Sequence, residues 1–506
     1  MNIGEILALA AHKYPEHLAL VAGEKRFNFH EFNSRVNRMS SALLQWGLNR
    51  GDKVSVLLVN SHHFVELYFA VAKAGGVFVP VNFRSVGQEV IYTLNHSDAR
   101  FFFFGCEFTQ IVHDIRSNLT AVEFFIAVDQ LPPAPNIFDY ESVLGQFPDK
   151  EPEVSVNEQD ECQILYTSGT TGKPKGAVLT HGNILWNLMN TILGREEKEG
   201  EVSLVIGPLY HAAPLNHHFT VRIAVPGTTI LVKEFSPRQV MEAIEREKVT
   251  VISGAPAMYM MLLNLPGVET YDTRSVTKCT TGASILPEET KNRLLKLFPN
   301  VKGVYDVYGC TEASPLSTIL KAEDSLRKQE CVGRALPFLE VRIVDPNDRE
   351  VVTGDVGELI CRGPNVMKGY YKDPEATADT LRGGWLHTGD LGRMDKDGFI
   401  YIVDRKKDII ISGGENIYPR EVEEVLFRHP KIRDVAIVGV ADPLWGESVK
   451  AFIVLKEGAV LKEEDVVEYC KAHLASYKKP KVVRFVDSLP RNASGKVLKT
   501  VLQNEW

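Results

Sequence analysis

Apolar runs and amphipathic segments alternate along most of the first 340 residues of this 506-residue chain. Residues 53–81 pass from KVSVLLV through the amphipathic HFVELYFAVAKAG to GVFVPV, and residues 228–254 repeat the order with TTILV, PRQVMEAIEREK and VTVISG. Short apolar runs of this kind are typical of strands buried on both faces of a parallel sheet, with helices as crossover connections. The pattern therefore predicts an α/β fold.

The pattern changes near residue 340, where short strand-like segments are separated by Gly, Asp and Pro. EVRIVD, GELICRG and GFIYIVD are of this type. They predict an antiparallel, distorted β-barrel subdomain within a large N-terminal domain of α/β layers, residues 1–404. The charged run DRKKD at 404–408 marks the predicted boundary. Residues 405–506 have the right size for a small, separate α+β domain.

Composition and charge limit the classes of partner. A hydrophobic fraction of 44% and a charged fraction of 24% are ordinary for a soluble globular protein. The chain has 57 basic and 65 acidic residues, which gives a net charge of −8. This negative charge argues against nucleic acid or an anionic membrane surface as a general partner.

The cysteines and the N-terminus point to a reducing, cytoplasmic location. The seven cysteines are odd in number and include no CxxC pair, so neither a disulfide framework nor a cysteine zinc motif is visible. The N-terminal MNIGEILALAAHKYPEH lacks a basic segment and a cleavage site, which predicts an amphipathic helix rather than a signal peptide. No apolar stretch reaches the length of a transmembrane segment.

Residues 166–176, YTSGTTGKPKG, combine glycines, hydroxyl side chains and lysines directly after the apolar CQIL. Successive backbone N–H groups in such a turn form a concave anion site that suits phosphates. A surface loop is the alternative, but the position between a predicted strand and a predicted helix favours phosphate binding. The spacing is not that of a Walker A motif.

This loop resembles the phosphate loop of the adenylate-forming superfamily, which includes acyl-CoA synthetases, adenylation domains of peptide synthetases, and luciferases. Further motifs follow in the family's order: YGCTE, GELICRGPNVMKGYY, WLHTGD, DRKKDIIISGGENIYP and PRNASGK. The resemblance covers nearly the whole chain. It implies an AMP-forming acid–CoA ligase that uses ATP, Mg²⁺ and coenzyme A.

The matched residues have chemistry that suits ATP. The Tyr308 ring offers a surface on which adenine can stack, and Glu312 is a hard oxygen ligand for Mg²⁺, with Thr167 as a second candidate ligand. The family's nucleotide, hinge and coenzyme A motifs match Thr167, Ser168, Gly169, Thr170, Thr171, Gly172, Lys175, Gly282, Ala283, Ser284, Asp306, Tyr308, Gly309, Thr311, Asp390, Arg405, Lys407, Gly413, Gly414 and Lys496.

The resemblance also assigns roles on the C-terminal side of the chain. Asp390 would accept hydrogen bonds from two ribose hydroxyls, and Arg405 would donate from the other side of the ribose. Lys496 would place positive charge on the carboxylate and the α-phosphate while the acyl-adenylate forms. Lys407 matches the hinge about which the small domain rotates between the two half-reactions, so this domain is expected to be mobile. The glycine-rich SGGEN would then approach the pantetheine arm.

The sequence specifies the carboxylic acid substrate less closely than it specifies the nucleotide. In the family, the acid-binding pocket is lined by segments that match 208–218, 253–260, 281–286 and 308–310. His211 matches a gate position beside this pocket. The resemblance counts His211 among the catalytic residues, together with Lys496, Thr167 and Glu312. No side chain near SGAPAM offers a countercharge for an α-amino group, which favours a plain carboxylic acid. Ala, Gly and Met around 255–261 predict a medium- or long-chain fatty acid. An aromatic or alicyclic acid is the alternative.

The acyl acceptor is expected to be free coenzyme A, because no carrier domain follows Lys496. A stand-alone adenylation protein that loads a separate carrier is an alternative from another class. A luciferase-like oxygenase and a non-enzymatic ATP sensor are two further alternative functions. A homodimer is also expected.

Overall fold

The computed structural model describes residues 1–129, 137–167, 174–284, 286–413, 415–491 and 497–504. The chain divides into two compact units. Unit 1 comprises Met1–Val341 and Cys361–Leu386, and unit 2 comprises Arg342–Ile360 and His387–Trp506.

The strands of the described chain are β1 (Leu18–Ala22), β2 (Lys25–Asn28), β3 (Lys53–Leu57), β4 (Val77–Pro80), β5 (Ala99–Gly105), β6 (Phe124–Val128), β7 (Ile137–Asp139), β8 (Glu161–Thr167), β9 (Lys175–Thr180), β10 (Val202–Val205), β11 (Thr228–Leu231), β12 (Val251–Gly254), β13 (Lys278–Gly282), β14 (Val304–Tyr308), β15 (Thr318–Leu320), β16 (Arg334–Ala335), β17 (Glu340–Val344), β18 (Gly357–Arg362), β19 (Gly369–Tyr370), β20 (Leu386–Met394), β21 (Ile400–Arg405), β22 (Ile410–Ser412), β23 (Glu415–Ile417), β24 (Ile432–Asp442), β25 (Gly446–Leu455) and β26 (Val482–Phe485).

The α-helices are α1 (Ile3–Lys13), α2 (Phe29–Gln45), α3 (His62–Ala74), α4 (Gly87–Ser97), α5 (Thr109–Ile115), α6 (Tyr140–Leu144), α7 (His181–Arg195), α8 (Thr220–Ala224), α9 (Pro237–Glu247), α10 (Pro256–Leu263), α11 (Glu288–Leu297), α12 (Pro374–Thr380), α13 (Pro419–Phe427), α14 (Glu463–His473) and α15 (Lys499–Asn504). A π-helix covers Ala213–Phe219.

Two large sheets form the core of unit 1. One has the order β16-β15-β14-β13-β12-β10-β11-β1-β2, and the other has the order β19-β9-β8-β4-β3-β5-β6-β7. Strands β10 to β14 pair in parallel in the first sheet, and β3 to β6 do so in the second. The predicted α/β fold with parallel strands is confirmed.

The apolar runs lie where this architecture buries both faces of a strand. The side chains of Phe101–Phe104 in β5 are wholly buried, because helices cover the sheet on either side. Helix α1 forms as predicted: Asn2 and Glu5 make a capping box at its start, and its apolar face is buried. Among the described residues, no helix has both the length and the apolar character needed to cross a membrane.

The later part of the chain contains two further sheets. Strands β17, β18, β20 and β21 form a four-stranded sheet in which β20 and β21 run antiparallel. In unit 2, β23, β22, β25 and β24 form a second sheet, and β26 joins it parallel to β25. Helices α13 and α14 pack against this sheet around a small apolar core. The large α/β part with a small α+β part confirms the predicted fold class.

Candidate active site

Two of the predicted nucleotide-binding loops leave neighbouring strands of unit 1. Strands β13 and β14 are parallel, and Gly282 at the end of β13 pairs with Val307. The carboxyl ends of adjacent parallel strands share one edge of the sheet, which is where ligands bind in α/β proteins. Gly282, Ala283 and Ser284 therefore leave the sheet beside Tyr308 and Gly309.

The backbone at this edge is closely packed. A Cβ atom on Gly309 would clash with the carbonyl oxygen of Pro315, and one on Gly282 would lie 2.8 Å from Val307 Cγ2. Ala283 has a φ of +70°. Asp306 is buried in β14, while Tyr308 is half-buried at the end of that strand. The glycines thus let the two loops approach a ligand and each other closely.

Glu312 follows this edge in a short helical turn, Thr311–Ala313. Its carboxylate Oε1 accepts a hydrogen bond from the Tyr370 hydroxyl at 2.8 Å. Burial, together with the neighbouring Glu312 charge, raises the pKa of Tyr370 above its usual value, so this hydroxyl keeps its proton and remains a donor. Glu312 is half-buried. Its carboxylate is therefore held in place and retains lone pairs for a cation.

Tyr370 was missed by sequence reasoning, although it lies within the quoted motif GELICRGPNVMKGYY. It reaches Glu312 because β19 pairs with β9, with Tyr370 opposite Ala177. The same pairing places the Lys175 ammonium 5.3 Å from the centre of the Tyr370 ring. Lys175 Nζ also lies 3.8 Å from Asp373 Oδ2. A cation, an aromatic ring and a carboxylate therefore converge beside the glycine-rich loop.

The strands that flank this loop are ordered as an antiparallel pair. Thr167 ends β8 and lies opposite Lys175, the first residue of β9. The predicted phosphate-binding residues between them lie outside the described residues: Ser168, Gly169, Thr170, Thr171 and Gly172. Their predicted role stays a prediction.

In unit 2, the predicted ribose-binding residues are neighbours. Asp390 of β20 pairs across the sheet with Arg405 of β21, and Arg405 Nε lies 3.1 Å from Asp390 Oδ1. The Asp390 side chain is 9% exposed and that of Arg405 is 43% exposed. The Asp390 carboxylate is thus buried and paired, while the Arg405 guanidinium keeps access to solvent.

The hinge and coenzyme A candidates of unit 2 lie in turns. Lys407 is exposed in the turn Lys406–Asp408. Gly413 has a φ of +60°, and a Cβ there would lie 2.6 Å from the Trp445 ring. Gly414 and Lys496 lie outside the described residues.

The histidines of the predicted acid-pocket segments are largely withdrawn from solvent. Burial, with a smaller contribution from Arg84, lowers the pKa of His211 to about 4, so its imidazole is neutral at pH 7. Its Nε2 atom has no hydrogen-bond partner within the described chain. His217 is fully buried, with Nδ1 at 3.1 Å from Thr191 Oγ1.

A buried arginine next to His217 was also missed by sequence reasoning. The Arg195 side chain is fully buried, and its Nη1 lies 3.3 Å from both His217 Nε2 and Ser253 Oγ. Arginine only donates, so His217 Nε2 is the acceptor and the ring proton lies on Nδ1. Arg195 is paired with Glu197 on its other side. No sequence signal marks it, because it is simply the last residue of an amphipathic helix.

The chain matches two family models in succession. Residues 7–371 match the AMP-binding enzymes, and residues 421–496 match the C-terminal domain of AMP-binding enzymes. The first match covers well over half of the chain.

Curated relatives cover nearly the full length. A feruloyl-CoA synthase of an Amycolatopsis species is 37% identical over 490 residues, which are 97% of this chain and 96% of that protein. A long-chain-fatty-acid–CoA ligase of Bacillus subtilis is 35% identical over 100% of this chain and 94% of that protein. Among solved structures, ATP-bound MatB from Rhodopseudomonas palustris superposes with a TM-score of 0.89 at 29% identity, covering 99% of this chain and 98% of that one.

The chain therefore belongs to the AMP-binding enzymes of the adenylate-forming superfamily. Within that family it is an acyl-CoA synthetase, an AMP-forming acid–CoA ligase.

Proposed function

We propose that this enzyme joins its carboxylic acid to AMP with release of pyrophosphate, and that coenzyme A then attacks the acyl-adenylate to give acyl-CoA and AMP. A carboxylate is a poor electrophile, and linkage to AMP supplies a good leaving group. The arrangement of Tyr308, Glu312, Tyr370 and Lys175 at one edge of unit 1 carries this proposal, because it joins a stacking surface to groups that suit phosphates and a metal ion.

Each group of the nucleotide has candidate residues among the matched motifs. Tyr308 would stack on adenine, and Asp390 with Arg405 would hold the ribose. Glu312 and Thr167 would bind the Mg²⁺ of MgATP. The hydrogen bond from Tyr370 fits this role, because it orients one carboxylate oxygen of Glu312 and leaves the other for a cation. When bound, the ion would neutralise phosphate charge.

Lys496 would serve the first step only. Its charge would stabilise the negative charge that gathers on the acid and the α-phosphate as they react. We also propose that residues 405–506 turn about Lys407 before the thiol attacks. The location of Lys407 in an exposed single 3₁₀ turn, Lys406–Asp408, supports this, since backbone rotation there would disrupt only that turn and leave β21 and β22 intact.

The polar contacts of His217 favour an aromatic acid with a polar substituent. His217 and Ser253, from two of the predicted pocket segments, are joined by Arg195. The Nη2 of Arg195 has no hydrogen-bond partner within the described chain, and such a buried donor suits a hydroxyl or ether oxygen better than a long alkyl chain. The feruloyl-CoA synthase named above supports the same choice.

A medium- or long-chain fatty acid is the second candidate. It is favoured by the apolar side chains of α10, where Met260 is 40% exposed and Met261 is 52% exposed. Flexible methionines adapt to alkyl chains. The long-chain-fatty-acid–CoA ligase of Bacillus subtilis supports this alternative. The cytoplasmic location and the homodimer stay predictions.

The acid is tested by measuring AMP release with ATP, Mg²⁺ and coenzyme A over acetate, octanoate, palmitate, benzoate and a hydroxycinnamate. We expect the highest kcat/KM with the hydroxycinnamate. His217→Ala should reduce that preference, whereas a matched change of the exposed His113 should leave it unchanged. A higher kcat/KM for palmitate would favour the fatty acid. Absence of labelled pyrophosphate exchange into ATP with every acid, measured without coenzyme A, would contradict the adenylation step itself.

A further inference from the structure

A buried carboxylate of unit 2 lies beside the predicted ribose-binding pair. Glu358 belongs to β18, within the motif GELICRG, and the family resemblance gives it no role. Its side chain is only 8% exposed. Strand β18 is the neighbour of β20, and β20 is the neighbour of β21, so Glu358 shares one sheet with Asp390 and Arg405. A carboxylate that is withdrawn from water in this way requires partners for its charge.

One oxygen of Glu358 fixes the turn that leads into Asp390. The backbone N–H of Gly389 donates to Oε1 at 3.2 Å. Gly389 has a φ of +71°, in the left-handed region that favours glycine. Thr388 adds two bonds, because its hydroxyl donates to the Leu359 carbonyl at 2.7 Å and accepts from Asp390 N at 3.1 Å. The backbone of residues 388–390 is therefore fastened to β18.

The other oxygen of Glu358 holds the residue that follows Arg405. Lys406 Nζ donates to Oε2 at 3.0 Å, and the Lys406 side chain is 51% exposed. His387 Nδ1 lies 3.5 Å from the same oxygen. Arg405 itself faces Asp390, with Nε at 3.1 Å from Oδ1. Glu358 thus contacts the residue before one member of the ribose-binding pair and the residue after the other.

This arrangement fixes the direction of the Asp390 carboxylate. A single carboxylate can accept from two ribose hydroxyls only at a defined distance and angle to both. Its ion pair with Arg405 restrains it weakly, because a half-exposed pair contributes little. The backbone bonds to Glu358 and Thr388 supply the stronger restraint. A displacement of about 1 Å at a binding group can lower a rate about a hundredfold.

We propose that Glu358 is a positioning residue for the ribose: it holds Asp390 and Arg405 in the arrangement that distinguishes a ribonucleotide from a 2′-deoxyribonucleotide. Glu358 would not touch the nucleotide. The inference rests on the proposed function, because it takes Asp390 and Arg405 as the residues that bind the ribose.

The test compares ATP with 2′-deoxy-ATP in the exchange of labelled pyrophosphate, with the acid that gives the fastest AMP release. We expect the wild type to prefer ATP, because 2′-deoxy-ATP lacks one hydroxyl for Asp390. Glu358→Ala should reduce this ratio of kcat/KM values about tenfold. Glu358→Gln and Lys406→Met should each reduce it about threefold, since glutamine keeps an acceptor for Gly389.

Two further variants sharpen the comparison. The double variant Glu358→Gln/Lys406→Met should have no larger effect than either single variant, because both substitutions remove the same ion pair. Lys396→Met is the matched control. Lys396 is exposed in the connection between β20 and β21, so its loss should leave the preference for ATP unchanged.

A second measurement needs neither acid nor coenzyme A. Calorimetry with AMP and with 2′-deoxy-AMP should show the same changes as a ratio of Kd values, while circular dichroism confirms that each variant is folded. A purely structural role for Glu358 would weaken both nucleotides equally in all three variants, and this result would overturn the proposal. Equal affinity of the wild type for the two nucleotides would overturn it as well.

The two readouts also separate this proposal from the proposed function. If the wild type exchanges no pyrophosphate with any acid, the proposed function fails, yet the ratio of Kd values still tests Glu358. If exchange proceeds and the Glu358 variants keep the wild-type preference for ATP, only the positioning role fails.

Discussion

Units 1 and 2 hold their candidate functional residues in different ways. In unit 1, Tyr308 ends β14 and Glu312 follows that strand, while Tyr370 of β19 in the other large sheet donates a hydrogen bond to the carboxylate of Glu312. In unit 2, Asp390 and Arg405 are cross-strand partners, but Lys407 lies in an exposed turn.

This difference matches two kinds of task. Electrostatic stabilisation of a reacting phosphate requires groups that do not move during the reaction. A change from one half-reaction to the next requires a segment that moves without disrupting regular structure. Substitutions of Glu312 and Tyr370 in unit 1 should therefore weaken nucleotide and metal binding, whereas substitutions of Lys407 and Lys496 in unit 2 should separate the two half-reactions.

The largest effect is expected for Lys496→Ala. Acyl-adenylate formation, followed as exchange of labelled pyrophosphate into ATP, should fall about a hundredfold or more. Thioester formation from supplied acyl-adenylate should remain near wild type. Lys499→Ala is the control, because Lys499 of α15 pairs with Glu423 of α13. Equal loss of both half-reactions would refute the assignment of Lys496 to the first step.

Lys407→Pro should have the opposite effect to Lys496→Ala, because it should spare acyl-adenylate formation and impair thioester formation. Proline fixes φ near −65°, which blocks rotation at this position. We expect pyrophosphate exchange to persist while acyl-CoA formation falls about tenfold or more, measured by single turnover from preformed acyl-adenylate. Lys407→Ala keeps backbone freedom and should behave like the wild type. An unchanged overall rate in the proline variant would count against the hinge.

A smaller effect is expected in unit 1 for Tyr370→Phe. Hydrogen bonds to charged groups contribute about 1.5–3 kcal/mol, so loss of the donor to Glu312 should lower kcat/KM for ATP about tenfold at low Mg²⁺. Higher Mg²⁺ should restore part of the rate, and the Mg²⁺ concentration for half-maximal activity should rise. Tyr371→Phe is the matched control, because the Tyr371 hydroxyl bonds to Asp98 instead. The same Mg²⁺ dependence in both variants would argue against a role in positioning Glu312.

The smallest effect concerns stability rather than catalysis. His181 is buried and accepts a hydrogen bond from Ile3 N through Nδ1, and burial lowers its pKa to about 4. As the pH falls, the His181 ring takes up a proton in the unfolded chain near pH 6.5, before it does so in the folded protein. The contribution of neutral His181 to the free energy of unfolding is therefore present above pH 6.5 and is lost as the pH falls towards 4.

His181→Asn keeps an acceptor in this position and removes the titration. Between pH 7 and pH 5, its free energy of unfolding in urea should fall about 2 kcal/mol less than that of the wild type. In the control His113→Asn, the free energy of unfolding should fall between pH 7 and pH 5 by as much as in the wild type. Identical pH dependence in all three proteins would mean that His181 does not contribute.

The sequence by itself determined the fold class, the family and most of the nucleotide-binding candidates. Periodicity is a local property, so runs such as FFFF at 101–104 identify buried strands without knowledge of their partners. Motif residues such as Tyr308 and Glu312 could likewise be named from neighbouring letters.

Only the tertiary structure decided which distant side chains meet. Tyr370 and Glu312 are 58 positions apart, and Lys406 and Glu358 are 48 apart. Arg195 is wholly buried although it ends an ordinary amphipathic helix. Contacts of this kind depend on strand order and register, which bring together residues that are far apart in the sequence and are not separated by any recurring interval. The chemistry of a residue can be read from the chain, but its partner is set by packing.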